Sequence, residues 1–74
     1  MQSAIDRAIS IAGGQDALAK LVGVTQSLVS QWRRGATSIH PRHFLFIERA
    51  TKGQVKRAEL LNEQIARHLT QRRA

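Results

Sequence analysis

Apolar residues recur along this chain at three- and four-residue intervals, and glycines interrupt the recurrence. Ile5, Ala8, Ile9 and Ala12 share one face of a helix expected over residues 3–12, with Ser3 as its N-cap and Gly13-Gly14 as its stop. Leu18, Ala19, Leu21 and Val22 form the stripe of a short second helix, from Gln15 to Val22, that Gly23 closes. Thr25 offers a side-chain acceptor to the next turn, so a third helix runs from there to about Arg34, before Gly35. After the loop "GATSIHP", Pro41 fits the first turn of a fourth helix, because its missing amide hydrogen costs nothing there. Phe44 and Ile47, with Leu45 or Phe46, are the core positions of that helix, which reaches about Ala50; Glu48 and Arg49 are its exposed ones. Thr51-Lys52-Gly53 breaks the chain, and Gln54-Val55 has room only for a short extended piece. A last helix, from about residue 56 to 72, carries Leu61, Ile65 and Leu69 at i, i+4 steps, with Ala58 and Leu60 nearby. The expectation is an all-α, five-helix domain spanning residues 1–74, without repeat, low-complexity segment or linker.

Seventy-four residues support one small core, and no cysteine is present to add a disulfide or a thiolate metal site. Packing, or association of copies, has to supply the stability. No apolar run approaches the 18 or so residues of a membrane span, and "MQSAIDRAIS" lacks the basic start and apolar stretch of a leader, so a soluble, cytoplasmic protein is expected. Twelve Lys and Arg against five Asp and Glu give a formal charge of +7. Such an excess suits a polyanion, nucleic acid first, although an anionic membrane surface or mere solubility also uses positive charge. Its distribution narrows the choice. From Gln26 to His43 the chain holds Arg33, Arg34, Arg42, His40 and His43 and no acid at all. A second excess lies in the tail, where Lys56, Arg57, Arg67, Arg72 and Arg73 outnumber Glu59 and Glu63.

Wound at about 100° per residue, the third helix divides into two arcs. Leu28, Val29 and Trp32 make the apolar one; Gln26, Ser27, Ser30, Gln31 and Arg34 fill the other, with Arg33 on the flank and no carboxylate. Glutamine amides pair a donor with an acceptor as the major-groove edge of adenine does, serine donates or accepts, and arginine grips guanine or a phosphate. A helix face serving only solubility more often mixes Glu with Lys. Together with the preceding helix this is the layout of a helix-turn-helix over residues 15–34, two short helices joined by a Gly-containing turn. Ala19 is the small residue for the crossing, and Leu18, Val22, Val24, Val29 and Trp32 fill the angle.

The string "QDALAKLVGVTQSLVSQW" resembles the helix-turn-helix of lambda-repressor-like phage repressors and Cro proteins. Residues 47–60, "IERATKGQVKRAEL", resemble a segment shared by small Cro-like repressors and the YdaS-like group often found in prophages. The likeness covers roughly residues 3–60, and "LNEQIARHLTQRRA" departs from the short, proline-containing ending of that group. The resemblance implies a five-helix, lambda-repressor-like DNA-binding domain in which Gln26, Ser27 and Gln31 contact base edges and Gln15 holds a phosphate. Ser30 lies on the same face as a further base-contact candidate. Helix N-termini add Thr25 as a phosphate anchor. Arg33, Arg34 and Arg42 are expected to flank the groove and grip the backbone, with His40 and His43 facing phosphates beside them.

Other chemistries find little support. His40 and His43 are three apart, but Pro41 intervenes and no third ligand is near in sequence, so no metal is expected. Trp32 could stack on a single-stranded base, yet within an apolar arc it reads better as core. Scattered carboxylates, no cysteine and no Gly-rich phosphate loop leave no catalytic constellation and call for no cofactor. The Leu61, Ile65 and Leu69 row has three readings: completing the chain's own core, joining a homodimer, or holding a foreign protein. The last is the antitoxin-like alternative, since YdaS-like proteins are often described as antitoxins. The leading expectation is a sequence-specific regulator, a Cro-like repressor bound to double-stranded operator DNA as a homodimer.

Overall fold

Five helices account for the structure, a computed structural model that describes residues 3–71, with side chains as far as Leu69. They are α1 (Ala4–Ala12), α2 (Gln15–Val22), α3 (Gln26–Arg34), α4 (Arg42–Ala50) and α5 (Arg57–Gln71), and no strand occurs among the described residues. Arg72 and Arg73 of the basic tail lie outside the described residues. The local signals act as read. Ser3 Oγ accepts the Asp6 amide at 3.1 Å and Thr25 Oγ1 accepts the Leu28 amide at 3.1 Å, each satisfying one orphan donor of a first turn. Pro41, in helical conformation at φ −54°, stands immediately before α4.

Trp32, 1% exposed, sits with Ile5, Leu18, Val29, Phe44 and Ile47 in a single cluster of buried residues. Helix α2 packs against α1, α3 and α4 and is the hub of the bundle. Leu21 does not join this core and is 58% exposed. The reason is angular: Leu18, Ala19 and Val22 centre the buried stripe, and Leu21 stands about 110° away from that centre. On α4, Phe44 and Ile47 are buried, Leu45 is half-buried and Phe46 is 43% exposed, so Leu45 is the better inward neighbour. Glu48, expected in solvent, is half-buried and accepts both the Arg57 amide at 3.2 Å and its Nε at 3.0 Å. Thr51 is fully buried at the corner between α4 and α5. Its hydroxyl lies 3.0 Å from the Ile47 carbonyl, to which it donates, and accepts the Val55 amide at 3.1 Å, which fixes the turn.

Helix α5 docks in an unexpected orientation. Leu60 is 3% exposed, whereas Leu61, Ile65 and Leu69 are 45%, 49% and 63% exposed, so the regular apolar row does not complete the chain's own core. The inward face repeats from Leu60 through Glu63, Gln64 and Arg67, and it is mostly polar. Glu63 Oε2 accepts the Ala4 amide at 2.7 Å, adding a carboxylate to the N-terminus of α1, where the helix dipole favours it. Gln64 accepts the Ile39 amide at 2.6 Å and donates to the Ile39 carbonyl at 3.0 Å. Arg7 pairs with Glu59 and donates to the Gln54 carbonyl at 2.9 Å. Lys56 and Arg57 start the helix, their amides taken by Glu59 and Glu48.

Two variants should therefore cost stability in urea titrations followed by circular dichroism. Leu60→Ala should lose about 2–4 kcal/mol through cavity formation, and Gln64→Ala about 1–3 kcal/mol by stranding the Ile39 peptide groups. Leu21→Ser should stay within about 0.5 kcal/mol of the parent.

Candidate nucleic-acid interface

The mount of α3 is built from small residues and a tight turn. Ala19, 2% exposed, lets α2 and α3 approach, and Gly23 ends α2 at φ 87°, with its amide and that of Val24 both directed to the Ala19 carbonyl at 2.8 and 3.0 Å. Val29 and Trp32 face inward and Leu28 is half-buried. The opposite face holds Gln26, Ser27 and Arg34 in solvent and Ser30 and Gln31 half-buried, and the first turn has no acid. Arg34 Nε lies 3.4 Å from the Ser30 carbonyl, which turns its guanidinium back along the helix. All four base-contact candidates, Gln26, Ser27, Ser30 and Gln31, thus lie on one side of one helix.

The phosphate candidates fall into three groups: one beside a cleft, one divided between the two ends of α3, and one at the start of α4. Gln15 and Arg33 border one open cleft of about 490 Å³, together with Asp6, Ser10 and Gly14. Arg33 Nε is 3.4 Å from Asp6 Oδ1, an exposed ion pair that solvent largely screens. Thr25 caps α3 beside Gln26, and Arg34 stands at the far end of the helix. His40, Arg42 and His43 form the third group at the start of α4, where His40 Nδ1 accepts the Arg42 amide at 3.2 Å. The His43 ring lies 5.4 Å from that of Trp32, tilted by 48°, and its Nδ1 is buried with no hydrogen-bond partner among the described residues. His40 meets it edge-on at 6.5 Å. Leu61, Ile65 and Leu69 are on α5 and belong to none of these groups. Among the described residues no cluster of three or more His, Cys, Asp or Glu is placed to hold a metal, and no helix is long and apolar enough to cross a membrane.

Comparison with known proteins gives the family. Residues 5–67 match the family described as Bacterial toxin YdaS. The chain belongs to the YdaS family. It is also 41% identical over 54 residues to the Escherichia coli (strain K12) protein named "Putative transcriptional regulator YdaS"; the match covers 73% of this chain and 55% of that protein. The chain thus spans about half the length of the curated relative it matches. No solved structure matches it significantly.

Two features of this YdaS-family chain escaped sequence reasoning. Asp6 was not foreseen as the partner of Arg33, because a separation of 27 positions hides a contact that only the packing of α1 on α3 creates. His43 was expected on a phosphate, and its placement against Trp32 followed from no spacing rule, though an i, i+3 position after His40 carried a hint of a shared face.

Burial first, then the charges of Arg42 and His40, lowers the pKa of His43 from the ordinary 6.5. The fold therefore favours the neutral ring, and the resulting stability is complete above 6.5 and lost as pH falls below it toward the lowered folded value. NMR titration should place the His43 midpoint below that of an unfolded histidine. Stability measured by urea should decline as pH falls below 6.5, and His43→Leu should remove that part of the slope.

Proposed function

We propose that this YdaS-family chain is a transcriptional regulator that reads double-stranded operator DNA with α3 in the major groove, acting as a Cro-like repressor. One observation carries the reading: a helix fastened by Val29 and Trp32 directs outward a polar, carboxylate-free face of Gln26, Ser27, Ser30, Gln31 and Arg34. In this reading Gln26, Ser27, Gln31 and Ser30 meet base edges, while Gln15, Thr25, Arg33, Arg34, Arg42, His40 and His43 serve the backbone. The name of the E. coli relative, which speaks of a transcriptional regulator, supports the same direction.

The active species is a homodimer on DNA, joined through α5. At about 100° per residue, the outward arc of α5 contains Leu61, Ile65, Leu69, Ala58 and Asn62 and no charge. Two copies of a protein with formal charge +7 repel one another, and an uncharged face is where they approach most cheaply. The row Leu61, Ile65, Leu69 also reads alike in both directions. An antiparallel, two-fold pairing about Ile65 sets Leu61 of one copy against Leu69 of the other, as a self-complementary interface requires. Two recognition helices about 34 Å apart then read a near-palindrome. The same exposed row favours a second reading, an antitoxin-like module that binds another protein, although the family's description calls the family itself a toxin.

Selection of duplexes from a random pool should recover a near-palindromic motif. Gln26→Ala and Gln31→Ala should each cost about 1–3 kcal/mol on it and relax discrimination at one base pair, whereas Arg42→Ala should weaken all sequences alike. Parent-like discrimination in both glutamine variants overturns the assignment of bases to α3. Sedimentation should show concentration-dependent dimers that Ile65→Glu abolishes. A parent that stays monomeric, with and without DNA, leaves the row to a foreign partner.

A further inference from the structure

Beside the C-terminal end of α3 lies a cleft of about 300 Å³, lined by Gly35, Thr37, Ser38, Gln64, Arg67 and His68. Its lining includes no carboxylate. Arg7, Arg33 and Arg57 each face an acid, but the Arg67 guanidinium makes no hydrogen bond or ion pair with any described residue. Glu63, one helical turn earlier, is its natural i, i+4 partner. That carboxylate is turned instead to the Ala4 amide, 2.7 Å away, and the positive charge at the cleft is left unneutralised. The guanidinium lies along Gly35, with Nη1 3.2 Å from where a Cβ would stand, so the glycine makes room for it.

The remaining wall is held in place rather than floppy. Gln64 grips both peptide groups of Ile39, and His68 Nε2 stands 3.1 Å from Ser38 Oγ. An unpaired guanidinium, an imidazole and two hydroxyls around one small space suit a phosphate group, which guanidinium binds in a forked, charge-assisted way. The guanidinium repels a cation, and Ala36 is the one apolar side chain in the lining. Position names the source. The nine residues of α3 rise about 13.5 Å, and the major groove is about 12 Å wide. With Gln26 at the bases, Gly35 therefore reaches the wall of the groove, where the backbone passes.

We infer that this cleft seats a phosphate of the DNA backbone, held by Arg67 with Thr37, Ser38 and His68, so that α5 is part of the DNA-binding surface. This rests on the DNA-reading assignment of α3 and adds a contact from a helix outside the helix-turn-helix. The uncharged arc of α5 used for pairing lies on a different side from Arg67, so one helix serves both partners.

The test uses the full chain and its Arg67→Gln variant, checked for equal thermal midpoints, with Arg67→Lys as the charge-keeping control. On a duplex carrying the selected motif, or one of random sequence, Arg67→Gln should flatten the dependence of log K on log salt by about 1 and leave base discrimination unchanged. Arg67→Lys should recover most of the slope. In an NMR titration with inorganic phosphate, the Thr37 and Ser38 amides should shift in the parent and not in Arg67→Gln. A parent-like salt slope in Arg67→Gln overturns the inference, whatever phosphate alone does. Binding of phosphate at Thr37 and Ser38 by a parent that binds no duplex overturns the DNA reading and leaves a seat for free phosphate. Absence of both responses in the parent overturns both.

Discussion

Everything that α3 offers to solvent depends on what Trp32 does in the interior. Its side chain is 1% exposed and is wedged among residues of the other helices, with the His43 ring leaning on it from α4. A reading surface must hold its donors and acceptors to within fractions of an ångström, and side chains projecting from a helix achieve this only if the helix cannot roll. Trp32 and Val29 on the inner face, and Ala19 where α2 crosses, remove that freedom. The outward glutamines are then positioned by packing they do not share in.

The distribution of charge follows a comparable economy. The chain has five carboxylates, and each is engaged: Asp6 with Arg33, Asp16 with Lys20, Glu48 with Arg57, Glu59 with Arg7, and Glu63 with the Ala4 amide. The Arg7 guanidinium and the Lys56 amide together hold the Glu59 carboxyl below its ordinary pKa of 4.5. These exposed pairs contribute little stability individually. Their larger effect is geometric. The acids are drawn to α1, the outer side of α2 and the seams around α5, and the face of α3 is left to cations and neutral hydrogen-bonding groups.

The helices and their ends were legible because their signals are local. Ser3 and Thr25 bond amides three residues ahead, and glycines stop α1, α2 and α3 from within the same turn. The polar arc of α3 was equally legible, since a nine-residue helix with two buried anchors has only one way to face. The seating of α5 was not. The row with the best apolar period, Leu61, Ile65 and Leu69, competes with an inward face of Leu60, Glu63, Gln64 and Arg67 whose partners are peptide groups elsewhere in the chain. Periodicity weighs apolar side chains and is blind to backbone donors awaiting an acceptor. Thr51 was invisible for the same reason: a hydroxyl closing a turn between two helices looks, in sequence, like an ordinary breaker.

The bond from the Ala4 amide to Glu63 spans 59 positions and ties α1 to α5. On the ribosome, α1 emerges with its Ala4 amide open to water, and that amide can acquire this acceptor only after α5 has left the exit tunnel. Residues 15–34 emerge well before then. A nascent chain thus has α2 and α3 outside the tunnel while the Ala4 amide still lacks that acceptor, so the order of synthesis delays closure of the bundle until α5 arrives.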